Sequence, residues 1–199
     1  MMQGIDDKSK TWQKIIFMNN KKRGQETVYR RRNNRKRGED IPMEIDDLAQ
    51  KLVHSRLLQN EEQVQVFEQS IESIMSMNNS DCIKSLCLGF DDQTENDEVM
   101  FGLLHTIESF DQELGLEQSF IKQAEALRYM LPHAKEWAKT FHKRILNQDE
   151  ARNAYARVIS NADNATRELV LSLMNEIKAK NPEKFAEKTE EFLSSIKSL

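Results

Sequence analysis

The chain has 199 residues, 38% of them hydrophobic and 31% charged, with six Gly, three Pro and a formal net charge of -4. That length holds one domain of ordinary size or one domain with an appendage, and the scarcity of Gly and Pro disfavours turn-rich sandwiches and barrels. No run approaches the roughly 18 consecutive apolar residues of a membrane helix, and the N-terminus lacks the apolar stretch of a secretory signal, so a cytoplasmic protein is expected. The two cysteines, Cys82 and Cys87, stand five apart and match neither a disulfide framework nor a Cys-x-x-Cys site; they are expected to be small core residues.

The charge is unevenly divided. Residues 1 to 42 carry 12 Lys and Arg against five Asp and Glu, and the remaining 157 residues hold 17 bases against 28 acids. This split predicts two units: a basic N-terminal arm, 1–42, and a helical domain, 43–199. The arm crowds Lys21, Lys22, Arg23, Arg30, Arg31, Arg32, Arg35, Lys36 and Arg37 together with almost no apolar periodicity. It is expected to be disordered, or at most a frayed helix around Trp12 to Met18, because it cannot bury enough surface to offset ordering entropy. Two readings of it stand. It can bind nucleic acid through phosphates, or it lies outside the native product, which would start at Met43. Arg37-Gly38-Glu39 can be encoded by purine-rich codons resembling a ribosome-binding sequence, and Asp40 to Pro42 supply a spacing that suits such a start.

From Glu44 onward apolar residues recur at helical period, predicting an all-α fold of about nine helices. Leu48, Leu52 and Leu58 open the first stripe. Asn60 caps a second helix with Val64, Phe67, Ile71 and Ile74, and Asn78, Asn79 and Ser80 break the chain before a short third carrying Ile83, Leu86 and Leu88, closed by Gly89. Thr94 and Asp97 resemble a capping box ahead of Met100, Leu103, Leu104, Ile107 and Phe110. A fifth helix runs from about Leu114 to Leu131, and Pro132 marks its end or the start of the next. Ala134, Trp137, Ala138, Phe141 and Ile145 form the clearest amphipathic face, with Trp137 and Phe141 as packing anchors. Asn147 and Glu150 are expected to cap the next helix, Asp163 or Asn164 the one after, and Asn181 the last, with Pro182 at its first position. Short loops imply antiparallel neighbours: an irregular bundle or a short stacked array of helical hairpins.

The most informative feature is the stretch between Lys84 and Lys122. It holds nine carboxylates, Asp91, Asp92, Glu95, Asp97, Glu98, Glu108, Asp111, Glu113 and Glu117, and no Lys or Arg. Like charges at this density destabilise a compact state through repulsion, which points to a use. The segment Asp91 to Glu98 offers hard oxygen ligands but lacks the alternating acids, central Gly and distal Glu of a calcium hand. One or two of the acids can serve the positive end of a helix dipole. Meeting a cationic protein surface accounts for more of them, and we expect partner contact at Asp91, Asp92, Glu95, Asp97, Glu98, His105, Glu108 and Asp111.

His105, Glu108 and Gln112 follow Phe101 at steps of four, three and four and make a polar seam beside the apolar stripe. A His/Glu pair at i, i+3 can hold a metal, shuttle a proton or brace a neighbouring helix, and His133 and Glu136 repeat the spacing. The order is the reverse of the Glu-x-x-His of carboxylate-bridged metal bundles, so a hydrogen-bonded histidine is expected and neither metal nor cofactor. There is no Gly-rich phosphate loop, no Gly-x-Ser-x-Gly elbow and no cysteine with a histidine partner, so no enzyme is expected.

The segment Phe90-Asp91-Asp92 through Glu98-Val99-Met100-Phe101-Gly102-Leu103-Leu104-His105-Thr106-Ile107-Glu108-Ser109-Phe110-Asp111, with Glu136-Trp137-Ala138 and Arg144-Ile145-Leu146-Asn147, resembles the immunity protein 30 family over roughly residues 60 to 160. The resemblance implies a small helical bacterial protein of polymorphic-toxin or contact-dependent inhibition systems that binds a cognate toxin domain and blocks it stoichiometrically. An acidic surface suits that role if the toxin is a nuclease with a basic cleft. The alternative from another class is a small helical nucleic-acid-binding regulator that uses Lys21 to Arg37 as its arm. A third reading is a metal-dependent helical enzyme built on His105 and Glu108.

Overall fold

The computed structural model describes residues 41–77, 79, 81–131 and 133–197, with side chains described between Ile45 and Ile196. The expected basic arm, but for its last two residues, lies outside the described residues, as do the expected breaks at Asn78 and Ser80 and the boundary at Pro132. Ten helical segments follow one another among the described residues: α1 (Ile41–Ser55), α2 (Glu61–Ser76), α3 (Cys82–Cys87), α4 (Asp97–Glu108), α5 (Phe110–Leu114), α6 (Leu116–Met130), α7 (Lys135–Leu146), α8 (Asp149–Ser160), α9 (Asn164–Lys180) and α10 (Pro182–Lys197). These are the nine expected helices plus α5, a single turn set off from α4 at Ser109 and from α6 at Gly115. Gly115 has φ 80°, a left-handed value that a residue with a Cβ rarely adopts, and it is what separates α5 from α6.

Three of the expected caps form. The side chains of Asn60, Asp163 and Asn181 accept the backbone N–H groups of Gln63 (2.9 Å), Thr166 (2.9 Å) and Lys184 (3.2 Å), each satisfying a donor that the helix itself leaves free. Two caps differ from expectation. Asn96, not Thr94, accepts the Val99 N–H at 3.3 Å to open α4, while the Thr94 hydroxyl donates to the Leu57 carbonyl at 3.2 Å and fastens the loop to the end of α1's connection. Asn147 does not cap α8, which Gln148 precedes without a side-chain bond; its side-chain oxygen accepts instead from Lys188 Nζ at 2.7 Å, reaching across to α10.

Consecutive helices pack on one another along most of the chain, as in an array of hairpins, and α6 bridges the two halves by touching α3 on one side and α8 and α9 on the other. A single apolar cluster runs through both halves, from Leu52 to Phe192. Both cysteines are buried in it without a disulfide, and burial pushes the Cys87 thiol up to about 12. Gly89 allows the α3 turn to press into this core, since a Cβ there would lie 3.1 Å from a Leu103 methyl and 3.2 Å from the Phe67 ring.

Tyr155 is the centre of the second half. Its ring lies edge-on to Phe120 at 5.2 Å and stacks with Phe192 at 5.9 Å. Buried polar groups need partners, and Tyr155 shares one with His142. His142 Nδ1 lies 2.7 Å from the Ala138 carbonyl, which can only accept, so Nδ1 carries the proton and Nε2 accepts from the Tyr155 hydroxyl at 3.1 Å. Burial holds His142 neutral, with its pKa lowered from 6.5 to about 4. As the pH falls below about 6.5 the unfolded chain takes up a proton that the folded one refuses until about 4, so stability is lost across that window, by roughly 3 kcal/mol when complete. Urea unfolding at steps between pH 7 and 4.5 is expected to show this loss. His142→Gln, which still accepts from Tyr155 but does not titrate, is expected to be less stable at pH 7 and flatter across the window; an unchanged slope assigns the loss elsewhere.

Candidate functional site

The nine acids separate into groups once they are placed on the fold. Asp91 is only 5% exposed. Its Oδ2 pairs with Arg56 Nε at 2.9 Å, and its Oδ1 accepts the Gln93 N–H at 2.9 Å to close the turn. Asp92 is exposed, yet its carboxylate lies on the first amides of α7, accepting from Glu136 N at 2.9 Å and Trp137 N at 3.2 Å. The Asp92 N–H donates in turn to the His133 carbonyl at 2.8 Å. Because Ala134, the residue at the N-cap of α7, has no side chain that can accept, a carboxylate more than forty residues earlier in sequence supplies the cap and meets the positive end of the helix. Phe90 drives its ring into the core beside them, 5.7 Å from Trp137 and 6.4 Å from Phe141. Three successive residues thus fasten this turn to α7 and to the segment that follows α1.

Glu108, at the C-terminal end of α4, is tied to α7 from the other side. Arg144 donates to it through Nε at 2.5 Å and through its terminal nitrogen at 2.9 Å, and His105 Nδ1 lies 3.0 Å from the same carboxylate. Burial works to raise the Glu108 pKa, but the hydrogen bonds from His105 and Arg144 and their charges outweigh it, and its carboxyl titrates below the usual range. This forked pair is the bracing role open to the His105/Glu108 seam. His133 and Glu136 form no such pair: Glu136 turns to Lys139 at 2.8 Å and Lys180 at 3.1 Å, bonds that hold its pKa down at about 2. Among the described residues, no group of three or more His, Cys, Asp and Glu is placed to hold a metal ion.

Asp111 is half-buried on α5, where it accepts from the Gln123 amide at 3.3 Å; burial, with Glu108 nearby, raises its pKa despite the hydrogen bond from Ser119. Glu117 pairs with Arg157 at 2.7 Å, and Glu113 is exposed. Glu95, Asp97 and Glu98 remain. All three are exposed at the entry to α4, and none pairs with a base among the described residues. The expectation of one surface built from the whole acidic stretch is therefore narrowed: Asp91, Asp92 and Glu108 act within the fold, while Glu95, Asp97 and Glu98 form an exposed acidic group without an ion pair among the described residues. The sequence does not disclose Arg56 and Arg144 as the internal counter-charges because each is distant in sequence from its acid.

A groove of about 630 Å³ elsewhere, between α1, α3 and α6, is lined by Asp81, Lys122, Arg128 and Asp163 among others, and these charges pair with one another. No helix among the described residues is long and apolar enough to cross a membrane.

The family model described as immunity protein 30 matches residues 54–155, from the end of α1 through Tyr155, which takes in the acidic turn, α4 and α7. The chain belongs to the immunity protein 30 family. Comparison with curated proteins and with solved structures finds no match. Helices α9 and α10 lie beyond the matched part and pack on α7 and α8, so they complete the core on which this immunity protein's acidic turn is mounted. Removal of the long-range cap tests that mounting. Asp92→Ala is expected to destabilise the immunity protein by about 1–2 kcal/mol in urea unfolding, and Asp92→Asn, which still accepts from Glu136 and Trp137, to recover most of it.

Proposed function

We propose that this chain is the antidote of a bacterial polymorphic-toxin or contact-dependent inhibition system, a cytoplasmic, non-enzymatic protein that binds a cognate toxin domain and blocks it one to one. Membership of the immunity protein 30 family carries this reading, since the matched span contains the acidic turn and the helix that follows it. The exposed acids support a division of labour. Glu95, Asp97 and Glu98 present one sign of charge with no ion pair among the described residues, and such a field speeds encounter with a cationic surface and rejects partners of the wrong sign. A nuclease, whose cleft must hold phosphates, is the toxin class best suited to that field. Asp91, Asp92 and Glu108 hold the shape of the surface, and His105 and Asp111 border it.

The toxin domain expected to be encoded immediately upstream of this reading frame provides the test. Titrating it with the chain is expected to abolish toxicity at one equivalent. Changing Glu95→Gln, Asp97→Asn and Glu98→Gln together is expected to slow association by roughly three- to tenfold and to flatten its salt dependence, with dissociation little changed. Full toxin activity at excess of the chain contradicts the function, and an unaltered association rate in the triple variant contradicts the assignment of these three acids.

A further inference from the structure

Three large hydrophobic side chains stand exposed among the described residues: Val66 at 36%, Tyr129 at 39% and Phe101 at 40%. Tyr129 has a cation of its own chain on its ring, Lys84 Nζ at 4.5 Å from the centroid. Phe101 has none among the described residues. It projects from α4 in the stretch that holds no Lys or Arg between Lys84 and Lys122, and the adjacent imidazole, His105, one turn further on, is engaged with Glu108.

Phe101 also rests against a buried ring. Its ring meets Trp137 edge-to-face, with centroids 5.1 Å apart and planes at 78°, and Trp137 in turn packs on Phe90 within the core. Whichever ring supplies the edge in such a pair, Trp137 leaves at least one face of Phe101 uncovered. Helical spacing puts Asp97 and Glu98 one turn before it on the same side of α4. An uncovered π face carries partial negative charge, so the aromatic and the two carboxylates attract the same kind of group.

We propose that Phe101 is the anchor of the partner contact, and that it receives a guanidinium or ammonium group of the toxin on its open face while Asp97 and Glu98 neutralise that charge. The proposal rests on the immunity function given above and names the chemistry of its central contact. A ring already packed against Trp137 has less freedom to lose on binding than an unsupported one, which favours its role as the aromatic anchor of an interface.

The experiment compares the wild-type chain with Phe101→Leu, Phe101→Trp and Val66→Ala in binding kinetics to the toxin domain encoded upstream, after circular dichroism melts establish that each is folded. Phe101→Leu, which keeps apolar bulk but removes the π face, is expected to weaken binding by about tenfold or more, mainly through faster dissociation. Phe101→Trp is expected to stay within about threefold of wild type, because indole is the stronger cation acceptor, and Val66→Ala to be unchanged. Wild-type affinity in Phe101→Leu overturns the anchor while leaving the immunity function standing. Equal losses in Phe101→Leu and Phe101→Trp overturn the cationic occupant in favour of a pocket fitted to the phenyl ring. Failure of the wild-type chain to bind that domain overturns the underlying function together with the proposal.

Discussion

The carboxylate of Asp92 on the opening amides of α7 is the contact from which the arrangement of the first half follows. α7 begins at Lys135 after an alanine, so its own sequence provides no acceptor for its free N–H groups. Asp92 provides it, and in doing so fixes the turn that holds Asp91 against Arg56 and Phe90 against Trp137 and Phe141. From this turn the chain enters α4, whose far end is fastened back to α7 through Glu108 and Arg144. Pinned at both ends, α4 presents one face to solvent in a fixed position, and Phe101 lies in the middle of that face. The same constraints that stabilise the fold thus orient the surface proposed for the toxin.

This arrangement resolves the repulsion implied by nine acids in one run. A carboxylate that accepts backbone N–H groups or faces an arginine stabilises the native state, and the structure places Asp91, Asp92, Glu108 and Glu117 in such positions. The excess of one sign that remains outside is therefore smaller than the sequence implies, and three of its acids, Glu95, Asp97 and Glu98, stand together at the entry to α4. A localised field on a rigid helix entry favours one docking orientation, whereas the same charge spread over the molecule would favour many.

The sequence makes the helices legible because their signals are local. Asn60, Asp163 and Asn181 cap their helices within three residues, and the apolar stripes of α2, α4 and α7 fall on the buried faces that their period requires. What misled was tertiary competition for the same groups. Thr94 has the spacing of a cap, but its hydroxyl donates to the Leu57 carbonyl and accepts the Asn96 N–H at 3.4 Å, one residue ahead of the helix, and Asn96 caps instead; Asn147 faces Lys188, brought close by α10. The candidate surface was legible as composition and not as geometry. That Asp92 serves α7 and Glu108 serves Arg144 depends on pairings across some forty residues, for which the one-dimensional pattern holds no cue, and the same holds for the contact of Phe101 with Trp137.

The separation of inward-acting from outward-acting acids is the centre of this account, and amide hydrogen exchange measures it residue by residue. In Asp92→Ala, the Glu136 and Trp137 amides are expected to exchange roughly tenfold faster or more, because their acceptor is gone. In the Glu95→Gln, Asp97→Asn, Glu98→Gln variant the same two amides are expected to keep wild-type protection. Unchanged protection in the first variant, or lost protection in the second, would contradict the division on which both the fold and the proposed surface rest.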